Sequence, residues 1–77
     1  MDKQEVLNEV LVDCLGVKRE QLTDEARFVE DLSADSLTVM EIVMAVEEKF
    51  GLELTEEQVE NIRSVGQLRE LVEQKVG

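Results

Sequence analysis

The segment DLSADSLTVM, residues 31–40, places two serines three positions apart among aspartates, directly before a long apolar pattern of helical spacing. Ser33, Asp35 and Ser36 all belong to residue types that favour the start of a helix. One such residue is enough, so Ser36 is available for a second role. Its hydroxyl could act as a catalytic nucleophile, or it could be the target of another enzyme.

The rest of the chain lacks the groups that would make Ser36 a catalyst. A serine nucleophile needs an adjacent base and an oxyanion hole. The sequence contains no histidine, and no lysine lies in the segment around Ser36. A Ser-His-Asp site is therefore excluded, and a Ser-Lys variant has no local support. No glycine-rich phosphate-binding loop is present either. We therefore expect no catalytic residues. If the Ser36 hydroxyl takes part in a reaction, we expect it to be the substrate of another enzyme.

The aspartates of the same segment superficially resemble a calcium-binding loop. Counting from Asp31, an EF-hand requires glycine at the sixth position and glutamate at the twelfth, where this chain has Ser36 and Ile42. A structural zinc site is equally unsupported, because the chain has no histidine and a single cysteine. We expect no metal site.

Composition limits the partners and the location of the protein. The 77 residues include 19 Asp and Glu against 8 Lys and Arg, which gives a formal net charge of −11. This balance argues against nucleic acid and anionic membranes as partners, and it favours basic patches on other proteins. No apolar run approaches the roughly 18 residues of a membrane span, so no membrane insertion is expected. A lone cysteine and an N-terminus without secretory features predict a cytoplasmic protein.

Hydrophobic periodicity predicts one domain over residues 1–77 with an all-α fold. The fold class is a small four-helix bundle of three longer helices and a short third helix, with a long loop between helices 1 and 2. The second helix is expected from about Ser36 to Phe50, with Gly51 as its terminator. Thr55 with Gln58 matches the capping box of the short third helix. The same signature, Ser64 with Gln67, precedes the last helix.

The first and last helices each show one apolar stripe. In the first helix the stripe predicts that Cys14 is a buried core thiol and that Gly16 ends the helix. In the last helix the stripe extends to Val76, and Arg69 with Glu73 fits a charge pair on a solvated face. The loop at 17–35 is expected to be ordered by scattered apolar anchors: Val17, Leu22, Phe28 and Leu32.

The second helix has two apolar arcs. One arc has the spacing of a core stripe and consists of Val39, Ile42, Val43, Val46 and Phe50. The other arc contains Leu37, Met40 and Met44, intermixed with Glu41, Glu47 and Glu48. A small domain could bury both arcs, or the second could hold ordinary exposed apolar residues. The alternative is a docking surface, in which the apolar side chains give adaptable contacts and the glutamates attract a basic partner.

The segment ADSLTVMEIVMAVEEKFGLEL, residues 34–54 and centred on DSL, resembles acyl carrier proteins of the fatty-acid type. The resemblance extends over nearly the whole chain, including FVEDL in the loop and SVGQL before the final helix. It implies that Ser36 receives a 4′-phosphopantetheine arm from coenzyme A through a separate phosphopantetheinyl transferase. Asp35 and Leu37 match the residues that flank the modified serine. The arm would then carry growing acyl chains as thioesters.

The resemblance also implies partners for the second arc. Enzymes of fatty-acid or polyketide synthesis with basic docking patches would contact Leu37, Met40, Glu41, Met44, Glu47 and Glu48. The protein itself is then a carrier and no enzyme, and we expect it to be a monomer.

Three departures from the family pattern leave the pathway open. Ser33 occupies a position where the family often has glycine, and Thr38 occupies one where an acidic residue is common. The segment LTEEQ replaces a proline-containing start of the third helix. A dedicated polyketide carrier or an aminoacyl or peptidyl carrier is therefore an alternative. From a different class, a noncovalent acidic helical adaptor would use Ser36 only as a helix-starting residue.

Overall fold

The computed structural model describes residues 2–76 and confirms the all-α prediction. Within that range the chain forms four α-helices: α1 Lys3–Leu15, α2 Ser36–Phe50, α3 Glu56–Asn61 and α4 Val65–Val76. A short 3₁₀ helix at Arg19–Gln21, which the sequence did not predict, lies in the connection between α1 and α2. No helix among residues 2–76 is long and apolar enough to cross a membrane.

Local signals explain where the helices begin and end. Gly16 and Gly51 end α1 and α2 in the left-handed conformation, with φ of 67° and 63°, which glycine adopts at little cost. The predicted capping box of α3 is present: Gln58 N donates to Thr55 Oγ1 at 3.1 Å, and Thr55 N donates to Gln58 Oε1 at 3.0 Å. The reciprocal bonds at the start of α4 join Ser64 and Gln67.

The core combines one face of each long helix with anchors from the connection at 16–35. Leu22, Phe28 and Leu32 are buried as predicted, and Val17 is half-buried. The buried core cluster comprises Leu7, Val10, Leu11, Leu22, Ala26, Phe28, Leu32, Ala34, Ile42, Val46, Ile62, Val65, Leu68 and Val72. Because burial of these anchors removes apolar surface from water, the connection is held against the bundle.

Backbone hydrogen bonds join this connection to the segment between α3 and α4. Phe28 N donates to Arg63 O at 3.0 Å, and Val65 N donates to Ala26 O at 3.0 Å. Residues 26–28 of the long connection therefore lie beside the start of α4. They are also close to the start of α2, since Ala34 N donates to Phe28 O at 2.8 Å.

Three predictions about α1 and α4 are corrected. Cys14 is half-buried rather than buried, and Val76 is exposed. Arg69 does not bond to Glu73 on its own helix but contacts other parts of the chain. Its guanidinium donates to Leu22 O and to Gln4 Oε1, each at 2.9 Å, and Nε lies 3.1 Å from a carboxylate oxygen of Asp24.

Candidate functional site

Ser36 is exposed and is the first residue of α2. The cap belongs to its neighbour: Asp35 has extended backbone, and its Oδ1 accepts from the N–H of Thr38 at 2.8 Å. The start of α2 therefore does not depend on the Ser36 hydroxyl. The residues fit a covalently attached phosphate group, because an accessible alcohol lies at a helix N-terminus, where backbone N–H groups favour negative charge.

Ser33 takes no part in capping α2, although it belongs to a residue type that favours the start of a helix. Its backbone is left-handed, with φ of 57°. Glycine adopts this conformation far more easily than serine. Ser33 thus occupies a turn that would favour glycine, which is the residue the resemblance leads one to expect there.

The two arcs of α2 separate as the spacing predicts. Ile42, Val43 and Val46 are buried, while Val39 and Phe50 are half-buried. On the other arc Leu37 is 67%, Met40 48% and Met44 63% exposed. The alternative in which a small domain buries both arcs is therefore wrong.

The three glutamates of the second arc have different environments. Glu41 and Glu48 are exposed, whereas Glu47 is half-buried. Oε2 of Glu47 accepts a hydrogen bond from Leu54 N at 3.0 Å. Glu47 therefore holds the segment that leads from α2 to α3, in addition to any role in docking.

An open groove of about 430 Å³ runs between α2 and α3 beside the exposed methionines. Its lining is Met40, Val43, Met44, Glu47, Leu54, Glu56, Val59 and Glu60. Sequence reasoning missed the α3 wall of this groove. The only local signal was the apolar Leu54 and Val59 in an otherwise acidic stretch, and their position opposite α2 depends on the chain path.

Two titratable side chains, Asp35 and Cys14, have pKa values shifted from their ordinary ones. Asp35 has a pKa below its ordinary value, chiefly because the backbone N–H of Thr38 donates to its carboxylate, with a further bond from the Thr38 side chain. The pKa of the Cys14 thiol is raised, first by burial and then by the negative charges of Glu41 and Asp13. Neither shift creates a base beside Ser36, in line with the absence of histidine from the chain.

Comparison with known proteins agrees with this geometry. The family model described as a phosphopantetheine attachment site matches residues 5–72. An acyl carrier protein of Wolinella succinogenes is 48% identical over 67 residues, which span 87% of this chain and 88% of the relative. The solved structure of an acyl carrier protein from Enterococcus faecalis matches with a TM-score of 0.74 and 35% identity, covering 94% of this chain and 95% of that one.

The family match extends over most of the chain, and the structural match includes all four helices. Such proteins are carriers and not enzymes: a transferase attaches 4′-phosphopantetheine to them covalently, and synthesis enzymes use the loaded form. The exposed serine, the independent cap and the helical bundle of this chain suit that role. The chain belongs to the phosphopantetheine-binding family of acyl carrier proteins.

Proposed function

We propose that Ser36 is the attachment residue and that the loaded carrier serves fatty-acid synthesis. The observation that carries the assignment is the division of labour at the start of α2. Asp35 provides the cap through its bond to Thr38 N, so that the exposed hydroxyl of Ser36 can be esterified without loss of the helix start.

The loading step follows from the chemistry of an alcohol and a pyrophosphate. The Ser36 hydroxyl attacks the phosphorus of coenzyme A that bears pantetheine, and the bond from this phosphorus to the departing adenosine bisphosphate breaks. In this proposal the hydroxyl proton passes to a base on the transferase. The terminal thiol of the attached arm carries acyl groups as thioesters.

The docking surface in this proposal is the second arc of α2: Leu37, Met40, Glu41, Met44, Glu47 and Glu48. Exposed apolar side chains next to carboxylates suit a partner with a basic rim and an apolar centre. A carrier that visits several enzymes needs fast association and weak retention, and charge-steered contacts provide both. The monomeric state and the cytoplasmic location remain predictions.

The attachment residue is tested by intact mass after incubation with coenzyme A and a phosphopantetheinyl transferase. The wild-type protein should gain the mass of the arm, and Ser36→Ala should not. Ser33→Gly is the matched control, because it removes the neighbouring hydroxyl and suits the left-handed turn; it should load normally. Loading of Ser36→Ala would place the attachment at another residue, and no loading of the wild type with several transferases would favour the noncovalent adaptor.

The pathway is tested separately with the loaded protein. Incubation with acetyl- and malonyl-coenzyme A, reduced nicotinamide cofactor and the enzymes of fatty-acid elongation should yield carrier species whose masses increase by two-carbon saturated units. Extension only by polyketide synthases, without reduction, would transfer the assignment to a dedicated polyketide carrier.

A further inference from the structure

A small pocket of about 200 Å³ lies beside the start of α2. Apolar side chains form most of its lining, and two arginines and a glutamate complete it: Arg27, Phe28, Val29, Glu30, Val39, Ile62 and Arg63. The pocket is distinct from the groove between α2 and α3, since the two have no lining residue in common.

The pocket adjoins Ser36 through both chain and fold. Val39 lies three residues beyond Ser36 on α2, and residues at this spacing are neighbours on one helix face. On the opposite side, Phe28 O accepts from Ala34 N at 2.8 Å, two residues before Ser36. A group attached to the Ser36 hydroxyl therefore begins within about one helical turn, or roughly 5 Å of rise, of the pocket.

Arg63 contributes a well-placed positive charge to this pocket. Its carbonyl accepts from Phe28 N at 3.0 Å, and its own N–H donates to Gln67 Oε1 at 2.7 Å. The backbone is thus held on both sides, while the side chain is exposed. Among residues 2–76, Arg63 is the one arginine without an ion-pair partner; Arg27, across the pocket, is paired with Glu30.

We propose that Arg63, assisted by Arg27, binds the phosphodiester that joins the arm to Ser36, and that the apolar lining receives the dimethyl-substituted carbon next to this phosphate. The inference rests on the proposed attachment at Ser36. It assigns a role to the two arginines of the pocket: they bind the phosphate end of the arm, next to Ser36.

Charge and size support this assignment. Esterification adds a negative charge directly beside Asp35 in a chain of net charge −11, and a guanidinium is suited to two phosphate oxygens at once. The tether to Ser36 keeps the phosphate at high effective concentration near Arg63. A pocket of about 200 Å³ suits the phosphate end of the arm but not a long acyl chain.

The test compares apo and holo forms of the wild type, Arg63→Gln and Lys75→Gln by NMR, with loading of each followed by intact mass. Lys75→Gln is the matched control, because it removes the same charge from an exposed position in the last turn of α4. The readouts are the phosphorus resonance of the phosphodiester and the amide resonances of Phe28, Val29 and Val39.

In the wild type and in Lys75→Gln, attachment of the arm should shift the three amide resonances. The phosphorus resonance should also respond to added salt, which screens the arginine–phosphate contact. Arg63→Gln should gain the arm normally and lose both effects, whereas Arg63→Lys should retain part of them. The same spectra for Arg63→Gln and the wild type would overturn the inference.

Two other outcomes are distinguishable. A shift that appears only after malonyl loading would assign the arginines to a terminal carboxylate instead, and it too would overturn the inference. Absence of the arm's mass in the wild type would instead refute the attachment at Ser36, before the pocket is considered.

Discussion

The backbone N–H of Leu54 donates a hydrogen bond to Oε2 of Glu47 at 3.0 Å. A carboxylate of the exposed arc of α2 thereby binds the segment that leads into α3, and the two walls of the groove are held together. The residue that the sequence suggests for docking thus also has a structural contact, which distinguishes it from its neighbour Glu48.

Glu47→Ala should lower the free energy of unfolding by about 1–2 kcal/mol, because it removes a hydrogen bond between a charged acceptor and a half-buried backbone donor. Glu48→Ala is the control, since it makes the same change of charge at an exposed position; it should change stability by no more than about 0.5 kcal/mol. Urea denaturation followed by circular dichroism measures both. Equal stabilities for the two variants would contradict a structural role for Glu47.

Charge reversal on the docking arc should impair use of the carrier more than its folding. Glu41→Lys should lower kcat/KM for acyl transfer onto the loaded protein by roughly tenfold at low salt, because it repels a basic partner surface. The difference should diminish as salt rises.

The matched control for Glu41→Lys is Glu70→Lys, which reverses an exposed charge on α4. It should alter kcat/KM much less while changing the net charge equally. Similar losses for both variants would point to net charge rather than to a docking surface on α2. Met44→Arg provides an independent test of the same arc, with unchanged melting temperature and slower transfer expected.

The cap at Asp35 should make stability depend on pH in the acid range. Its pKa is lower in the folded state, because Thr38 N donates to the carboxylate. Its contribution is therefore complete above the pKa of the unfolded chain, roughly 4, and is lost as pH falls through the lower folded value. Asp35→Asn keeps a capping side chain without the charge.

Urea midpoints of the wild type and Asp35→Asn, measured from neutral pH down to about pH 3, test this expectation. The wild type should lose more stability across the acid range than the variant does. Glu70→Gln, which removes an exposed carboxylate elsewhere, should follow the wild-type curve more closely. Parallel curves for the wild type and Asp35→Asn would exclude a contribution from this carboxylate.

Arg69 should matter for stability far more than an ordinary surface arginine. Its side chain is only 19% exposed, and it bonds to Leu22 O and Gln4 Oε1 and pairs with Asp24. Arg69→Met should cost about 1–2 kcal/mol of unfolding free energy, because the part-buried Leu22 carbonyl loses its donor, whereas the pair with Asp24, whose side chain is 71% exposed, contributes little. Lys75→Met removes one positive charge from the same helix and should cost much less. Comparable losses of unfolding free energy in the two variants would show that the removed charge, rather than the contacts of Arg69, is responsible.

The elements that depend on neighbours along the chain are predictable from the sequence. The bounds of α2 follow from Asp35, Ser36 and Gly51, since caps and terminators act within one turn. The separation of Ile42 and Val46 from the exposed second arc follows from the helical period alone. Composition also limits the chemistry of Ser36, because a chain without histidine cannot form a Ser-His-Asp site.

The contacts between distant parts of the chain needed the tertiary structure. Gly66 lies inside α4, where alanine normally favours a helix, yet a Cβ there would come within 2.9 Å of Asp24 O. Arg69 donates a hydrogen bond to Leu22 O, and Arg27 lines a pocket together with Arg63. The local spacing of these residues in the sequence predicts neither contact. The path of the long connection decides these contacts. That path depends on how Phe28 and the other anchors fill the space between helices, a property of packing rather than of any short segment.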